Sequence, residues 1–314
     1  MYESLLQLDK LEIKFSQSFI LNIVLALIMF GVALGVSTSQ FKKLFFSPKP
    51  VVLGAASQFI LLPAVTFLLI AAFNKFITPC VAMGMILVAA CPGGNISNFM
   101  SSFSKGNTEL SVTLTALSTG LAVFMTPFNF SFWGGMYVRF FGSHHADLVQ
   151  PLEIEFMQMF ETVFIILGIP VILGIVCTRF LPKIAARLKK PLQYLSIVFF
   201  IALVAIMFAG NWQLFVDHIF WIFIIVLIHN FAALSTGYGA SVLFKQPDRN
   251  RRTITIETGI QNSGLGLVLL FNPKIFAPNL EIGGMLFVTA WWGIWHIVSG
   301  LAISGYWSMK PPKE

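Results

Sequence analysis

The sequence predicts an all-α polytopic membrane protein, and three observations lead to this class. Of the 314 residues, 57% are hydrophobic and only 11% are charged, whereas soluble domains carry about 25% charged residues. Nine apolar stretches are long enough to span a bilayer, which takes about 20 residues. Successive loops between these stretches must lie on opposite sides of the membrane. With that assignment, fifteen of the twenty Lys and Arg residues fall on one side, as expected for cytoplasmic loops.

The nine predicted spans cover residues 17–38, 51–73, 79–103, 108–130, 156–178, 192–210, 217–243, 252–272 and 283–307. The charge bias places the N-terminus outside and the C-terminus in the cytoplasm, in a plasma membrane or a bacterial inner membrane. Residues 1–16 are predicted to form an amphipathic lead-in on the outside, 131–155 an external loop, and 308–314 a cytoplasmic tail. The loops account for the net charge of +7, so nucleic-acid binding is not expected.

The third span, 79–103, is interrupted by the stretch CPGGNISN. Pro92 removes a backbone donor, and Gly93 and Gly94 permit an unwound path. Unwound backbone is tolerated at membrane depth only beside protein or a wet cavity, so the break predicts a site. Three polar side chains follow the break and supply oxygen atoms: Asn95, Ser97 and Asn98.

The eighth span, 252–272, is interrupted by ETGIQNSG, with a break predicted at Gly259. Glu257 is the acidic residue that cannot be assigned to a loop or an interface, and a carboxylate at membrane depth costs about 2.5–3.5 kcal/mol. No Lys or Arg lies in a span interior to pair with it, so a bound cation or a proton must compensate it. The two broken spans are five apart and enter from opposite sides, which predicts an inverted repeat whose first half lacks its leading helix.

Further oxygen ligands can be placed by their spacing. Ser111 and Thr115 are four residues apart and share a helix face, and Gln58 is the strongly polar side chain of the second span. Carboxylate, amide, hydroxyl and carbonyl oxygens favour a hard monovalent cation, and sodium is the simplest choice. No cofactor and no enzymatic activity are expected, because the sequence lacks paired aspartates, a facing Ser–His pair and an HExxH motif. The adjacent His144 and His145 are expected to lie in a solvated loop.

At CPGGNISN and ETGIQNSG the chain resembles the bile acid:sodium symporter family, and the resemblance extends through MFGVALGVS, QFILLP, SKGNTELSVTLTALST, LIHN and WHIVSG. It implies two inverted five-helix repeats, with nine helices in members that lack the first one. It also implies two domains, a panel formed by residues 17–50 and 156–216 and a core formed by residues 51–130 and 217–307. The two broken helices would cross in the core beside two sodium sites.

The resemblance implies two sodium sites that share one carboxylate. The first would be formed by the side chains of Ser97, Asn98, Ser111, Thr115 and Glu257. The second would be formed by the side chains of Gln58, Glu257 and Gln261 and by the backbone carbonyls of Thr258 and Ile260. Facing the substrate crevice would be Asn95, Asn262 and His296. Ile297 stands where some bacterial relatives carry Asn after this histidine, so the polar contacts of that Asn are absent here.

Together these features predict a symporter that uses the sodium gradient to import bile acids or a similar amphipathic organic anion, working as a monomer in the bilayer. Two alternatives stay open at this point. In the first, a protein of the same fold is driven by protons, because Glu257 could titrate instead of binding sodium. In the second, the chain is a membrane receptor that binds a ligand without transporting it.

Overall fold

The computed structural model describes residues 1–10, 26–28, 30–31, 33–34, 48–142, 155–210, 212–276 and 280–312. Over these residues the regular secondary structure is helical. The helices are α1 (Tyr2–Asp9), α2 (Pro48–Phe73), α3 (Pro79–Ala90), α4 (Ile96–Phe103), α5 (Thr108–Phe141), α6 (Phe156–Phe180), α7 (Pro182–Gly210), α8 (Trp212–Leu243), α9 (Asp248–Gly259), α10 (Ser263–Leu270) and α11 (Gly283–Ser308).

Five of these helices are long and apolar enough to cross a bilayer within the described part of the chain, namely α2, α5, α6, α8 and α11. Their outer faces expose large apolar side chains. On α5, for example, Phe124, Phe128 and Phe132 recur every four residues and are 58%, 49% and 46% exposed. Such a face suits lipid and not water, so the predicted class of polytopic helical membrane protein is confirmed. Most of the first predicted span, 17–38, lies outside the described residues.

Small residues let the core helices approach one another closely, as is common in membrane proteins. α3 packs on α11 at Gly84, where an added Cβ atom would lie 2.8 Å from Met285 Cα. α8 packs on α9 at Gly237, where an added Cβ atom would lie 2.8 Å from the Ile254 carbonyl oxygen and from Thr258 Oγ1. These contacts hold α9 and α11 firmly against their neighbours.

A second group of helices consists of α6, α7 and the described residues between 26 and 34. Gly31 faces Leu192 of α7, and Gly174 of α6 faces Ala33, both so closely that an added Cβ atom would overlap the neighbour. α6 and α7 also pack on each other, and α6 contacts α5. These residues fall in the ranges predicted for the panel domain, and the division into panel and core stays a prediction.

Part of the predicted external loop, residues 131–155, is helical. α5 continues without interruption to Phe141, so the prediction of a loop starting at residue 131 is wrong for residues 131–141. Gly134 of this stretch packs closely against α3, since an added Cβ atom would lie 2.9 Å from Met83 Cε. Tyr137, one turn further on, is buried against the core. Residues 143–154 lie outside the described part.

The N-terminal helix α1 packs into the protein and does not lie flat on its surface. Leu5 and Leu8 are fully buried, and α1 contacts α3, α8 and α11. Asp9 is also buried, and its carboxylate approaches Gly284 so closely that a Cβ atom on that residue would overlap it. The predicted lead-in is therefore a docked element over residues 2–9, located where α3 and α11 begin.

The docking of α1 is expected to weaken as the pH rises, because it buries Asp9. Burial raises the pKa of Asp9 from 3.8 to about 7; the Thr78 hydroxyl opposes this rise and Glu281 adds to it. A carboxyl group whose pKa is raised on folding stabilises the fold fully below about pH 4, and this contribution is lost as the pH rises through about 7. At 1.36 kcal/mol per pKa unit, the free energy of unfolding should fall by about 4 kcal/mol.

Thermal unfolding of the purified protein in detergent, followed from about pH 4 to about pH 8, measures this effect. Asp9→Asn should remove this contribution to the pH dependence of the stability. Glu3→Gln is the matched control, because Glu3 is an exposed acid on the same helix. If wild type and Asp9→Asn lost stability in parallel as the pH rose, the effect would have to come from other groups.

Candidate functional site

Two interrupted helices meet in the buried interior of the protein. α3 ends at Ala90, and α4 begins at Ile96. In the same way α9 ends at Gly259, and α10 begins at Ser263. The two short connecting segments are not helical: the first contains Pro92, Gly93 and Gly94, and the second follows directly on Gly259, the last residue of α9.

The connecting segments cross and pair with each other through their backbones. Gly93 and Gln261 form an isolated antiparallel β-bridge. Two hydrogen bonds flank it, from Gly94 N–H to Ile260 C=O (2.8 Å) and from Asn262 N–H to Pro92 C=O (2.7 Å). Each unwound segment thus satisfies backbone groups of the other, which removes the cost of leaving them unpaired in a buried place.

The close approach at the crossing depends on glycine. An added Cβ atom on Gly93 would overlap Nε2 of Gln58 and lie 3.1 Å from Oε2 of Glu257. An added Cβ atom on Gly94 would lie 3.2 Å from the carbonyl oxygen of Gln261. Gly93 therefore gives the backbone of one broken helix access to the carboxylate of the other.

The backbone carbonyls at the end of α9 accept hydrogen bonds from donors in four different parts of the chain. A helix leaves its last four carbonyl groups without intrahelical partners, and leaving them unpaired in the interior would be costly. The carbonyls are paired as follows: Glu257 with the Gln58 side-chain amide (2.9 Å), Thr258 with the Gln261 side-chain amide (2.8 Å), Gly259 with the Asn230 side-chain amide (2.8 Å) and Ile260 with Gly94 N–H (2.8 Å).

The carboxylate of Glu257 is completely buried and is surrounded by hydroxyl groups. Ser97 of α4 donates to Oε1 at 2.6 Å, and Ser111 of α5 donates to the same oxygen. Thr115, one turn further along α5, lies 3.2 Å from Oε1 and 3.3 Å from Oε2. Thr115 also donates to Oδ1 of Asn98 at 3.3 Å. The five side chains predicted for the first sodium site are thus brought into one hydrogen-bonded network.

The buried Arg252 lies on α9 like Glu257, but its partners are other groups. Arg252 is 3% exposed, and its guanidinium forms an ion pair with Asp248 at 2.9 Å. It also donates to the carbonyls of Ser104 (2.7 Å) and Trp307 (2.9 Å). Over the residues that the structure describes, the hydrogen bonds and ion pairs of Glu257 include no Lys or Arg. A buried carboxylate without such a partner requires a proton or a bound cation.

Among the residues that the structure describes, two buried amide oxygens near the end of α9 have no hydrogen-bond partner, Oε1 of Gln58 and Oε1 of Gln261. The amide nitrogens of both side chains donate to backbone carbonyls of α9. A buried acceptor without a partner costs about 1–3 kcal/mol, and a cation would satisfy it. Because every candidate ligand here is an oxygen, the donor set fits a hard cation such as sodium.

Gln58 lies in a π-helical turn of α2, Ser57–Leu61. Five residues further on, Pro63 has no N–H group, so the carbonyl of Phe59 lacks its helical partner. Asn129 of α5 donates to that carbonyl at 3.0 Å. Such π turns are frequent at functional sites. Asn129 was not among the residues predicted from the sequence, although Pro63 was a usable signal, because a proline frees the carbonyl four residues before it.

The three side chains predicted to face the substrate crevice have different surroundings. Asn95 is exposed at the start of α4. Asn262 is half-buried and caps α10 by accepting a hydrogen bond from Leu265 N–H at 3.1 Å, a role that the sequence did not indicate. His296 on α11 is 6% exposed, and its Nδ1 has no hydrogen-bond partner within the described part of the chain. Asn95 and Asn262 thus flank the crossing, whereas His144 and His145 lie outside the described residues.

A polytopic helical membrane protein whose broken helices cross beside a buried carboxylate has the architecture typical of secondary transporters. The profile of the Sodium Bile acid symporter family matches residues 22–218. The chain belongs to this family, as its motifs predicted. The family and the relatives described below are transporters and not enzymes.

Three relatives illustrate the similarity. An uncharacterized sodium-dependent transporter of Bacillus subtilis (strain 168), YocS, is 32% identical, with the match covering 94% of this chain and 84% of the relative. The hepatic sodium/bile acid cotransporter of Rattus norvegicus is 28% identical over 95% of this chain and 80% of the relative. A probable sodium/metabolite cotransporter of Oryza sativa subsp. japonica, BASS1, chloroplastic, is 26% identical over 91% of this chain and 65% of the relative.

Proposed function

We propose that the protein is a sodium-coupled symporter that imports bile acids or a similar amphipathic organic anion by alternating access. The observation that carries the proposal is the buried carboxylate of Glu257, which is surrounded by hydroxyls and has no basic partner among the described residues. Sodium would neutralise this charge and tie the two crossing segments together. The name of the hepatic relative, a sodium/bile acid cotransporter, supports the substrate class.

At the first sodium site, one ion would bind between α4, α5 and α9. Its ligands would be the side-chain oxygens of Ser97, Asn98, Ser111, Thr115 and Glu257. The hydroxyl groups of Ser97 and Ser111 now donate hydrogen bonds to the carboxylate, and that of Thr115 lies 3.2 Å from it. A hydroxyl group can rotate its hydrogen away and present a lone pair to a cation. The same side chains can therefore line the site both without sodium and with sodium bound.

At the second site, an ion would bind at the end of α9, between the side-chain oxygens of Gln58, Glu257 and Gln261 and the backbone carbonyls of Thr258 and Ile260. The unpaired amide oxygens of the two glutamines support this proposal. Each carbonyl oxygen has two lone pairs, so it can accept its present hydrogen bond and still bind a cation. Both ions would share one carboxylate, so removing it should affect both sites.

The substrate would bind where the half-helices α4 and α10 begin. The N-terminus of a helix carries a partial positive charge, so two of them beside the crossing favour an anionic headgroup. Asn95, Asn262 and His296 would supply polar contacts, and the apolar helices of the panel would cover the apolar part of the substrate. We further propose nine membrane helices arranged as an inverted repeat, an outside N-terminus, a cytoplasmic C-terminus and function as a monomer.

Uptake into proteoliposomes tests the proposal. Purified protein is reconstituted, and the accumulation of a radiolabelled bile acid is followed with an inward gradient of sodium or, as the matched control, of potassium. We expect accumulation with sodium and only background with potassium, because coupling requires that sodium changes substrate affinity. Protein-free liposomes correct for passive entry of the amphipathic substrate.

The two alternatives give different results in the same assay. Accumulation driven by an inward proton gradient in sodium-free buffer would mean that the protein is a proton-coupled transporter and not a sodium symporter. Sodium-dependent binding of the bile acid without accumulation would instead indicate a receptor. A panel of other organic anions, tested under the sodium gradient, then defines the substrate range.

A further inference from the structure

At the end of α9 the carbonyl of Gly259 has a different role from the carbonyls next to it. The carbonyls of Thr258 and Ile260, on either side, are proposed ligands of the second sodium site, whereas that of Gly259 accepts a hydrogen bond from Nδ2 of Asn230 at 2.8 Å. Asn230 lies on α8 and is 1% exposed. A side chain outside the proposed ion sites therefore holds the middle one of three successive carbonyls.

The amide of Asn230 is itself held in one orientation. Ser299 of α11 donates a hydrogen bond to Oδ1 of Asn230 at 2.6 Å. Because this oxygen accepts from Ser299, the amide nitrogen must point in the other direction, toward Gly259. The pair of side chains thus connects three helices, α8, α9 and α11, at the point where α9 ends.

The peptide group after Gly259 is fixed at both of its polar ends. Its carbonyl is held by Asn230, and its N–H, which belongs to Ile260, donates to the Ile256 carbonyl at 2.9 Å. Gly259 also packs so closely on Leu234 of α8 that an added Cβ atom would overlap that side chain. Rotation of this peptide plane would reorient the carbonyls on both sides of it, so the plane determines where they point.

We propose that Asn230, oriented by Ser299, is a positioning residue that sets the sodium affinity of the second site. This inference rests on the proposed function. Asn230 does not touch the ion, and it acts by holding the Gly259 carbonyl so that the flanking carbonyls and the Gln261 side chain face the ion. The first site draws its hydroxyls from α4 and α5, which Asn230 does not contact through its hydrogen bonds.

The test is a sodium titration of the thermal stability of the purified protein, with potassium replacing sodium at constant ionic strength. Asn230→Ala should raise the sodium concentration at the midpoint about tenfold, equivalent to about 1.4 kcal/mol of binding free energy. The Hill coefficient should fall toward 1, because the weakened second site then fills at higher sodium concentrations than the first. Ser299→Ala should shift the midpoint in the same direction by a smaller factor, and Ser299→Thr, which keeps the hydroxyl, should restore the wild-type midpoint.

Ser241→Ala is the matched control, because Ser241 is a buried hydroxyl on α8 that donates within its own helix, to the Gly237 carbonyl at 2.7 Å. It should lower the melting temperature at every sodium concentration and leave the midpoint unchanged. If the Asn230 and Ser299 variants behaved like Ser241→Ala, the positioning role would be refuted while the symporter proposal stood. If the wild type did not respond to sodium at all, the proposed function itself would fail.

Discussion

Replacing Glu257 with Gln is expected to abolish sodium-dependent uptake while leaving the protein folded. The substitution keeps the shape of the side chain and the hydrogen bonds that its oxygen accepts, but it removes the negative charge that both proposed ions share. Two unit charges 4 Å apart interact by about 4 kcal/mol at an effective dielectric constant of 20. Losing this attraction should weaken sodium binding about a thousandfold.

Two readouts measure this expectation, uptake into proteoliposomes and the shift of the melting temperature by sodium. Glu257→Asp keeps the charge but shortens the side chain, so it should retain a weakened sodium response and separate charge from geometry. Glu161→Gln is the matched control, because it neutralises an exposed acid on α6. Normal sodium-driven uptake by Glu257→Gln would mean that this carboxylate is not a sodium ligand.

The sequence located the crossing well, because its signals there are local. Pro92 and the glycines beside it restrict or free their own backbone, and the helix ends observed at Ala90 and Ile96 lie on either side of them. Glu257 was identified for a similar reason, since the free-energy cost of a charge at membrane depth can be assigned from the sequence alone. The carboxylate is buried among hydroxyl groups, whose hydrogen bonds offset part of that cost.

The sequence failed where a glycine serves packing. Gly134 follows an apolar span and was interpreted as part of an external loop, but it lies inside α5 against Met83. A glycine that permits a turn and a glycine that permits close helix packing have the same local sequence signature. Only the identity of the neighbouring helix distinguishes them, and that is a tertiary contact. The docking of α1 through Leu5 and Leu8 was missed for the same reason.

The residues that support the site were the hardest to find. Asn129 and Asn230 both donate to backbone carbonyls of other helices, and these contacts join residues 70 and 29 positions apart. A hydrogen bond to a backbone group imposes no residue type on its acceptor, so no complementary pair can be read in the sequence. For Asn129 the proline in α2 gave an indirect signal, whereas for Asn230 the signal was only its presence in the motif LIHN.

Replacing Gly93 with Ala is expected to have the largest effect on the fold of the site. The new methyl group would overlap the amide nitrogen of Gln58 and approach Oε2 of Glu257 to 3.1 Å. Gln58 cannot simply move aside, because its amide donates to the Glu257 carbonyl. Overpacking of this kind typically costs about 1–3 kcal/mol, and the displaced glutamine should also abolish the cooperative sodium response.

A graded series of glycine variants, measured by thermal unfolding with and without sodium, checks this expectation. Gly94→Ala should have an intermediate effect, since its methyl group would lie 3.2 Å from the Gln261 carbonyl oxygen. Gly239→Ala is the matched control, because an added Cβ atom on this helical residue meets no atom of the described residues within 4 Å. It should be neutral or should stabilise α8 by about 0.5–1 kcal/mol. A ranking in which Gly239→Ala is as harmful as Gly93→Ala would show that the cost comes from glycine loss in general and not from the crossing.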